Sequence, residues 1–285
     1  MAEHANLFPI SKMSKVFRVS KSGYYSWLSR EPSKRSQQDV DIRRRIGQIW
    51  KQSHKRYGSP RVHRHLKAEG VLVSRPRVAR IMKHMGIASR IRKRWVKTTQ
   101  SNHKHAIVPN LLNRRFNPGS LNQAWVSDIT YIPANQGWLY LTTVMDLCDR
   151  KIIGWSLSQS MTARETTVAA LKQAKASRKP GKDLIFHSDQ GRQYACEEFK
   201  KELGSHITQS MSRKGNCWDN APAESFFKTL KYELNMPRAY SCYKQARSAL
   251  FEFIEIWYNR KRLHSALGYQ SPLQVEENIH TKQAA

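Results

Sequence analysis

Three short runs rich in β-branched and aromatic residues, joined by two short turns, most constrain the fold of this chain. The runs are Ala124–Ile132, Trp138–Met145 and Ile152–Leu157. The connections at 135–137 and 148–150 are too short for a crossover helix, so we predict an antiparallel meander. A helical stretch over 162–176 and a further apolar run over 184–188 follow. This order of elements predicts an α/β fold for residues 121–285.

Three acidic residues occupy distinct positions in this half of the chain. Asp128 lies inside the first run, so its carboxylate is predicted to project from a rigid strand. Asp189 ends the later apolar run and precedes a Gln-Gly turn, and strand ends are where open α/β sheets place their sites. Glu224 comes two residues after Pro222, which suits the first turn of a helix. Together these settings indicate a metal site for phosphodiester chemistry.

Each of these carboxylates also has an ordinary structural interpretation. An aspartate within a strand can be a plain hydrogen-bonding group, as for Asp128. Asp189 fits a turn residue, and Glu224 fits a residue that complements the helix macrodipole. Because the chain holds 21 acidic residues, spacing alone does not decide between the interpretations. Asp146 follows the second strand run and is the main competitor for a place in the site, but we assign it to the structure.

Two lysines share the face of the predicted helix that carries Glu224. Lys231 lies seven residues further on, which returns it to within about 20° of the Glu224 direction, and Lys228 lies at the i+4 position between them. A carboxylate followed by two ammonium groups fits a metal ligand that continues into a phosphate-binding strip. The alternative is an ordinary i,i+4 ion-pair ladder, worth a few tenths of a kcal/mol.

The charge of the chain favours a polyanionic partner. It has 50 Lys and Arg against 21 Asp and Glu, a formal net charge of +29. Residues 1–120 carry 28 basic and 5 acidic residues, whereas residues 121–285 carry 22 and 16. The residues that bind DNA are therefore predicted to lie mainly within the first 120 residues.

Residues 39–89 are predicted to form a helix-turn-helix-like DNA-binding domain. Its first helix is predicted over 39–53, with Val40 among the candidate buried positions, and its third helix begins after Ser74. The third helix has an apolar stripe and presents three basic residues, predicted to contact DNA, on other faces. These basic residues are Arg77, Arg80 and Lys83. Residues 1–38 are predicted to be a short helical segment and residues 90–120 a basic linker.

The sequence lacks a membrane signal. It contains no run of about 18 apolar residues, and residues 1–12 lack the core of a signal peptide. We therefore expect a soluble, intracellular protein without a membrane partner. The four cysteines show no C-x-x-C spacing and are predicted to be free thiols.

Four stretches carry a family resemblance. They are Phe186–Gly191, Ser210–Ala221, Glu224–Lys231 and Tyr258–Pro272. They resemble the OrfB-type DDE transposases of bacterial insertion sequences, whose products come from two overlapping frames and whose catalytic core is similar to retroviral integrases. The resemblance extends over nearly the whole chain, including residues 22–27 and 56–58.

The resemblance implies a ribonuclease-H-like mixed sheet flanked by helices. It also implies that Asp128, Asp189 and Glu224 hold two Mg²⁺ or Mn²⁺ ions, with Asp128 bridging both. Oxygen ligands suit these ions, which support in-line displacement at phosphorus. The expected reactions are 3′-end cleavage of DNA followed by strand transfer, without a covalent enzyme intermediate.

Further residues and partners are expected on the same grounds. Lys231 and Lys228 are expected to hold terminal phosphates, and Asn216, Trp218 and Asn220 to shape the DNA channel, although these three could equally form a turn that packs on the core. The first implied partner is duplex DNA, which includes the terminal inverted repeats and the target. The implied protein partners are further copies of the chain, in a homo-oligomer on DNA, and an upstream-frame OrfA product or an OrfA–OrfB fusion.

Two other functions stay open at this point: a DNA-binding regulator without catalysis, and a ribonuclease-H-like nuclease that cuts without joining. One departure from the family concerns spacing. The 34 residues between Asp189 and Glu224 are one fewer than is usual. We place the missing residue in the turn over 203–207, where a deletion leaves the orientation of the Glu224 helix unchanged.

Overall fold

The computed structural model describes residues 1–89, 106–234 and 239–284. The described residues divide into two compact units, of which the first is Met1–Ser89 and the second contains the rest. Within these ranges, every helix is too short or too polar to cross a lipid bilayer.

The first unit is helical. Its helices are α1 (Ile10–Val16), α2 (Lys21–Leu28), α3 (Lys34–Gln52), α4 (Ser59–Ala68) and α5 (Arg75–His84). The last three pack together through a buried apolar core. The core residues are Ile42, Ile46, Ile49, Val62, Leu66, Val78, Ile81 and Met82. The Ser74 side chain accepts a hydrogen bond from the Arg77 amide and so caps α5, as predicted.

Two details of α3 differ from the prediction. The helix begins at Lys34 rather than Asp39, because the Ser33 side chain accepts a hydrogen bond from the Ser36 amide and caps it earlier. Val40, a predicted buried residue, is 63% exposed. It lies two positions before Ile42, and two steps along a helix rotate a side chain by about 200°, away from the buried face.

The second unit contains a five-stranded mixed sheet. Its strands are β1 (Ala124–Ala134), β2 (Gly137–Asp146), β3 (Ile152–Ser158), β4 (Ile185–Ser188) and β5 (Thr208–Met211), in the order β3-β2-β1-β4-β5. The first three are antiparallel neighbours, whereas β4 runs parallel to β1 and β5 parallel to β4. This arrangement confirms both the predicted meander and the mixed sheet that the resemblance implied.

Helices flank this sheet. They are α6 (Ala169–Ser177), α7 (Arg192–Ala195), α8 (Glu197–Leu203), α9 (Ala221–Glu233), α10 (Tyr243–Phe251) and α11 (Pro272–Ala284). The core joins the sheet to α6, α7 and α8 through Trp125, Phe186, Leu171, Tyr194 and Phe199. Gly154 of β3 lets α6 approach closely, since a Cβ there would lie 2.7 Å from the Ala174 amide nitrogen.

Strand β5 was missing from the sequence prediction. It is only four residues long and largely polar, so it lacks the apolar run that signals a strand. Residues 106–116, from the predicted linker, lie along it: the amides of Leu111 and Leu112 donate to Ser210 Oγ at 2.9 and 3.2 Å. Residues 90–105 of that linker lie outside the described residues.

The C-terminal helix is fixed to the sheet by a buried ion cluster. The Arg178 guanidinium, at the end of α6, donates to Asp146 at 2.9 Å, to Asp149 and to Glu276 of α11 at 2.8 Å. Asp146 also accepts hydrogen bonds from the amides of Asn122 and Cys148. It is thus a structural carboxylate, as the sequence analysis assigned it.

Candidate active site

Asp128 and Asp189 lie side by side on neighbouring parallel strands. Asp128 is the fifth residue of β1, and Asp189 directly follows the last residue of β4. In the pairing of the two strands, Val126 is opposite His187. Asp128 and Asp189 each lie two residues beyond this pair, so they are opposite one another. Because side chains alternate along a strand, both point to the same side of the sheet.

Glu224 reaches the same place from α9. It lies in the first turn of that helix, after Pro222, as predicted. Phe226, Phe227 and Leu230 are buried beneath the helix, whereas Glu224 is exposed. The helix therefore anchors one side in the core and presents the other to the two aspartates.

The electrostatics of Asp128 show that these groups act on one another. Burial raises the pKa of Asp128 well above its ordinary value, and the charges of Asp189 and Glu224 raise it further. The Ile129 amide, which donates to Asp128 Oδ1 at 2.8 Å, and the charge of Lys231 act in the opposite sense. Four of the residues selected from the sequence are thus brought together, although the first and the last of them, Asp128 and Lys231, lie more than 100 positions apart in the chain.

This carboxylate group fits a hard divalent cation by the chemistry of its donors. All three side chains offer anionic oxygen, the ligand type that Mg²⁺ and Mn²⁺ prefer. Burial and, after it, repulsion by Asp189 and Glu224 raise the pKa of Asp128, and a bound cation would relieve this repulsion. Within the described ranges, no three His, Cys, Asp or Glu side chains are close enough together to hold a metal ion as they stand.

The two lysines of α9 differ in their surroundings. Partial burial lowers the pKa of Lys231, while the nearby Asp128 carboxylate raises it. Lys228, one turn earlier, is exposed. Both lie on the helix ridge that carries Glu224, and Lys231 is the one whose charge acts on Asp128.

The three residues expected to shape a DNA channel have different environments. Trp218 is 70% exposed. Asn216 accepts a hydrogen bond from Arg114 at 3.1 Å. Asn220 is 4% exposed and donates to the backbone oxygen of Ser127, next to Asp128, at 3.0 Å. Only Trp218 of the three is fully open to solvent, while Asn220 packs on the core, which was the alternative interpretation.

Sequence reasoning missed two groups that support the site. Tyr194 is fully buried in α7, its hydroxyl lies 2.7 Å from Ser127 Oγ, and its pKa is raised by burial and by the charges of Asp128 and Asp189. Asp219 is also buried and accepts hydrogen bonds from Arg213 and Arg114 at 2.8 Å. The pairing of Asp219 with Arg114, 105 positions away, has no local sequence signal.

The basic residues of α5 differ in how free they are to meet DNA. The Arg77 side chain is partly buried and donates to Asp39 at 2.8 Å, so it also ties α5 to α3. Arg80 lies 3.8 Å from the same carboxylate and is more exposed. Lys83 is exposed.

Comparisons with known proteins identify the family. Residues 37–95 match the model of an HTH-like domain, and residues 120–217 and 205–272 match two models of the integrase core domain. A protein of insertion element IS600 from Shigella sonnei is 40% identical over 269 residues, which cover 94% of this chain and 98% of that protein. The transposase InsF of insertion sequence IS3A from Escherichia coli is 36% identical over 277 residues, 96% of each chain. The chain belongs to the IS3-type insertion-sequence transposases.

As an insertion-sequence transposase, the protein has an integrase core and is a polynucleotidyl transferase. The first integrase-core match contains Asp128 and Asp189, and the second contains Glu224. Among solved structures, a simian T-cell lymphotropic virus intasome is 18% identical with a TM-score of 0.45, covering 81% of this chain and 73% of that one. The HTLV-2 integrase catalytic core with magnesium is 19% identical with a TM-score of 0.41, covering 54% of this chain and 95% of that one. The family assignment rests on the sequence relatives and the family models.

Proposed function

We propose that this transposase cleaves the 3′ ends of its element and joins them to target DNA at a DDE site formed by Asp128, Asp189 and Glu224. The observation that carries the proposal is that Asp128 and Asp189 lie level on neighbouring parallel strands, with Glu224 of α9 near enough for its charge to act on Asp128. Carboxylates that repel one another are costly to bring together without a cation, so their convergence supports a metal-binding role.

Asp128, Asp189 and Glu224 would together hold two Mg²⁺ or Mn²⁺ ions. Two such ions supply activation of the attacking oxygen and stabilisation of the leaving one. The rigid strand under Asp128 and the fully buried Tyr194 beneath it keep the ligands in position.

The reaction consists of two displacements at phosphorus. A water molecule first attacks the phosphodiester at the element end, which frees a 3′-hydroxyl and leaves a 5′-phosphate. That hydroxyl then attacks a phosphodiester of the target, and the target's own 3′-oxygen leaves, so that the number of phosphodiester bonds is conserved. Lys231, whose charge already acts on Asp128, is proposed to hold the phosphate beside the reacting one, and Lys228 the next along the ridge.

The first unit is proposed to bind the terminal inverted repeats. Lys83 and Arg80 are exposed cations of α5 and would contact DNA directly. Arg77 would contribute through the part of its guanidinium group that Asp39 does not cover. Because two element ends must be joined, we propose a homo-oligomer on DNA. An OrfA product, alone or fused to this chain, is the proposed protein partner.

The test uses labelled element ends with Mg²⁺ and compares the wild type with Asp128→Asn. The matched control is Asp183→Asn, an exposed acid before β4, at the opposite end of that strand from Asp189. We expect nicking and joining by the wild type and the control, and a loss of at least about 1,000-fold in Asp128→Asn. Absence of metal-dependent nicking by the wild type, supplied with its OrfA partner, would refute the transposase mechanism. Nicking without joined product would favour a nuclease, and DNA binding without either would favour a regulator.

A further inference from the structure

The helices α1 and α2 repeat the construction of α4 and α5. The second pair lies within the segment that matches the HTH-like domain, residues 37–95, whereas the first pair lies before it. In each pair a left-handed residue follows the first helix, Arg18 with φ 53° and Gly70 with φ 79°. The next residue in each is a valine, Val19 or Val71, whose amide donates back to the preceding helix at 3.0 or 2.9 Å. This closure ends a helix and turns the chain.

The second helix of each pair also begins in the same way. The Ser20 side chain accepts a hydrogen bond from the Gly23 amide at 2.9 Å, as Ser74 does from the Arg77 amide at 3.4 Å. A Cβ at position 23 would lie 2.7 Å from Ser20 Oγ, so the glycine leaves room for the serine hydroxyl in this cap. The connection over 17–20 is four residues long, the length typical of helix-turn-helix motifs.

The second helix of the pair, α2, presents an open polar face. Its one buried residue is Tyr24, and the helix packs on α1. On a helical projection Ser22 and Ser26 lie opposite Tyr24, with Tyr25 beside them, and all three are exposed. Small hydroxyl side chains allow close approach to another surface and can hydrogen-bond to any base.

The positive charge around this face of α2 favours a polyanionic partner. Residues 10–30 contain five basic residues and no acidic one. A second copy of the same surface would meet it with the same positive charge, which disfavours self-association. A polyanion is favoured instead, and α2 has the dimensions of an element that enters the major groove.

We propose that residues 10–28 form a second helix-turn-helix, in which α2 binds the major groove of duplex DNA through Ser22, Tyr25 and Ser26. This inference rests on the proposed function only in that the chain binds the ends of its element. The transposase would then read each end at two places, one through α5 and one through α2.

The experiment maps guanine N7 protection on a duplex carrying the terminal inverted repeat, with EDTA present so that no cleavage occurs. Ser26→Glu places a negative charge on the proposed DNA face, and Lys83→Glu does so on α5. Ser205→Glu is the matched control, an exposed serine in the turn before β5. We expect Ser26→Glu to lose one subset of the protected guanines and Lys83→Glu another, each with about tenfold weaker binding, while Ser205→Glu matches the wild type.

A helical content equal to that of the wild type, measured by circular dichroism, shows that Ser26→Glu is folded. Ser26→Lys, which has the opposite charge, is expected to keep all protections. The proposal is overturned if Ser26→Glu retains every protected guanine, or if it loses the same guanines as Lys83→Glu. It is equally overturned if Ser26→Glu changes only the sedimentation of the protein, since α2 would then be a protein-docking surface. Failure of the Mg²⁺-dependent reaction would count against the proposed function and leave these protections unaffected.

Discussion

The Arg262–Glu233 pair links the C-terminal segment to the helix that carries Glu224, and its removal tests that link. Arg262 Nε and Nη2 both donate to the Glu233 carboxylate, at 2.9 to 3.1 Å. The side chains are 8% and 10% exposed. Trp257 Nε1 donates to the same carboxylate at 3.1 Å, and the guanidinium lies 5.7 Å from the centre of the Tyr258 ring.

The change Arg262→Ala leaves the Glu233 carboxylate buried without its guanidinium. Breaking a buried ion pair by removing one partner costs about 3–5 kcal/mol. The lost contact with the Tyr258 ring adds roughly 0.5–1 kcal/mol. For a unit of this size about 1 kcal/mol corresponds to roughly 2–4 °C, so the combined loss of about 3.5–6 kcal/mol is expected to lower the Tm of the second unit by about 7–24 °C.

Differential scanning calorimetry of the full chain measures this fall, with Arg260→Ala as the control. Arg260 is two residues away and exposed, so its removal is expected to change the Tm by less than about 2 °C. The double variant Arg262→Met with Glu233→Leu removes both charges and is expected to recover most of the loss, because a buried pair and apolar residues of similar volume are nearly equivalent. If Arg262→Ala and Arg260→Ala behave alike, the buried pair does not stabilise the unit as argued.

Three further outcomes are expected. Gly154→Ala should lower the free energy of unfolding by about 1–3 kcal/mol or more in urea titrations, because the added methyl group overlaps the backbone of α6. A free energy of unfolding equal to that of the wild type would contradict this close packing. Asp219→Asn should destabilise the protein at pH 7, because hydrogen bonds from Arg213 hold the pKa of Asp219 below its ordinary value. The contribution of the ionised carboxylate to the free energy of unfolding is complete above pH about 4, and it is lost as the pH falls towards the pKa in the folded state. The difference in Tm between Asp219→Asn and the wild type should therefore shrink below pH about 4, and a constant difference would exclude the ionised carboxylate as its cause. Lys231→Ala should raise the KM for pre-cleaved DNA ends about tenfold or more in strand-transfer assays, whereas an unchanged KM would remove Lys231 from the phosphate site.

Much of the candidate site could be predicted because each of its residues lies in a recognisable local sequence pattern. Asp128 lies in a strand-forming run, Asp189 precedes a Gln-Gly turn and Glu224 follows Pro222, and each is where its local pattern predicted. The i,i+7 spacing likewise identified Lys231, whose charge acts on Asp128. These features depend on neighbours within one turn or one strand, the range over which sequence patterns are informative.

The supporting contacts were not predictable in the same way, since they join distant parts of the chain. Strand β5 forms because β4 and residues 106–116 supply its partners, and its own composition does not indicate a strand. Arg114 belongs to the predicted basic linker, yet it donates to Asp219 at 2.8 Å. Asn220 had two open interpretations, and its buried hydrogen bond to Ser127 depends on how α9 docks against β1.

The two ends of α9 carry glutamates with opposite environments, and this difference explains how the C-terminal segment supports the site. Glu224, in the first turn, is exposed and acts on Asp128, whereas Glu233, nine residues later, is buried against Arg262. At about 1.5 Å per residue the two lie roughly 13 Å apart on one rigid helix. Fixing one end of such a helix also limits the rotation of the other end. The ion pair between Arg262 and Glu233 therefore restricts the orientation of Glu224 and Lys231. The stretch around Arg262 therefore supplies none of the three proposed metal ligands, but by this argument it orients the helix that carries one of them.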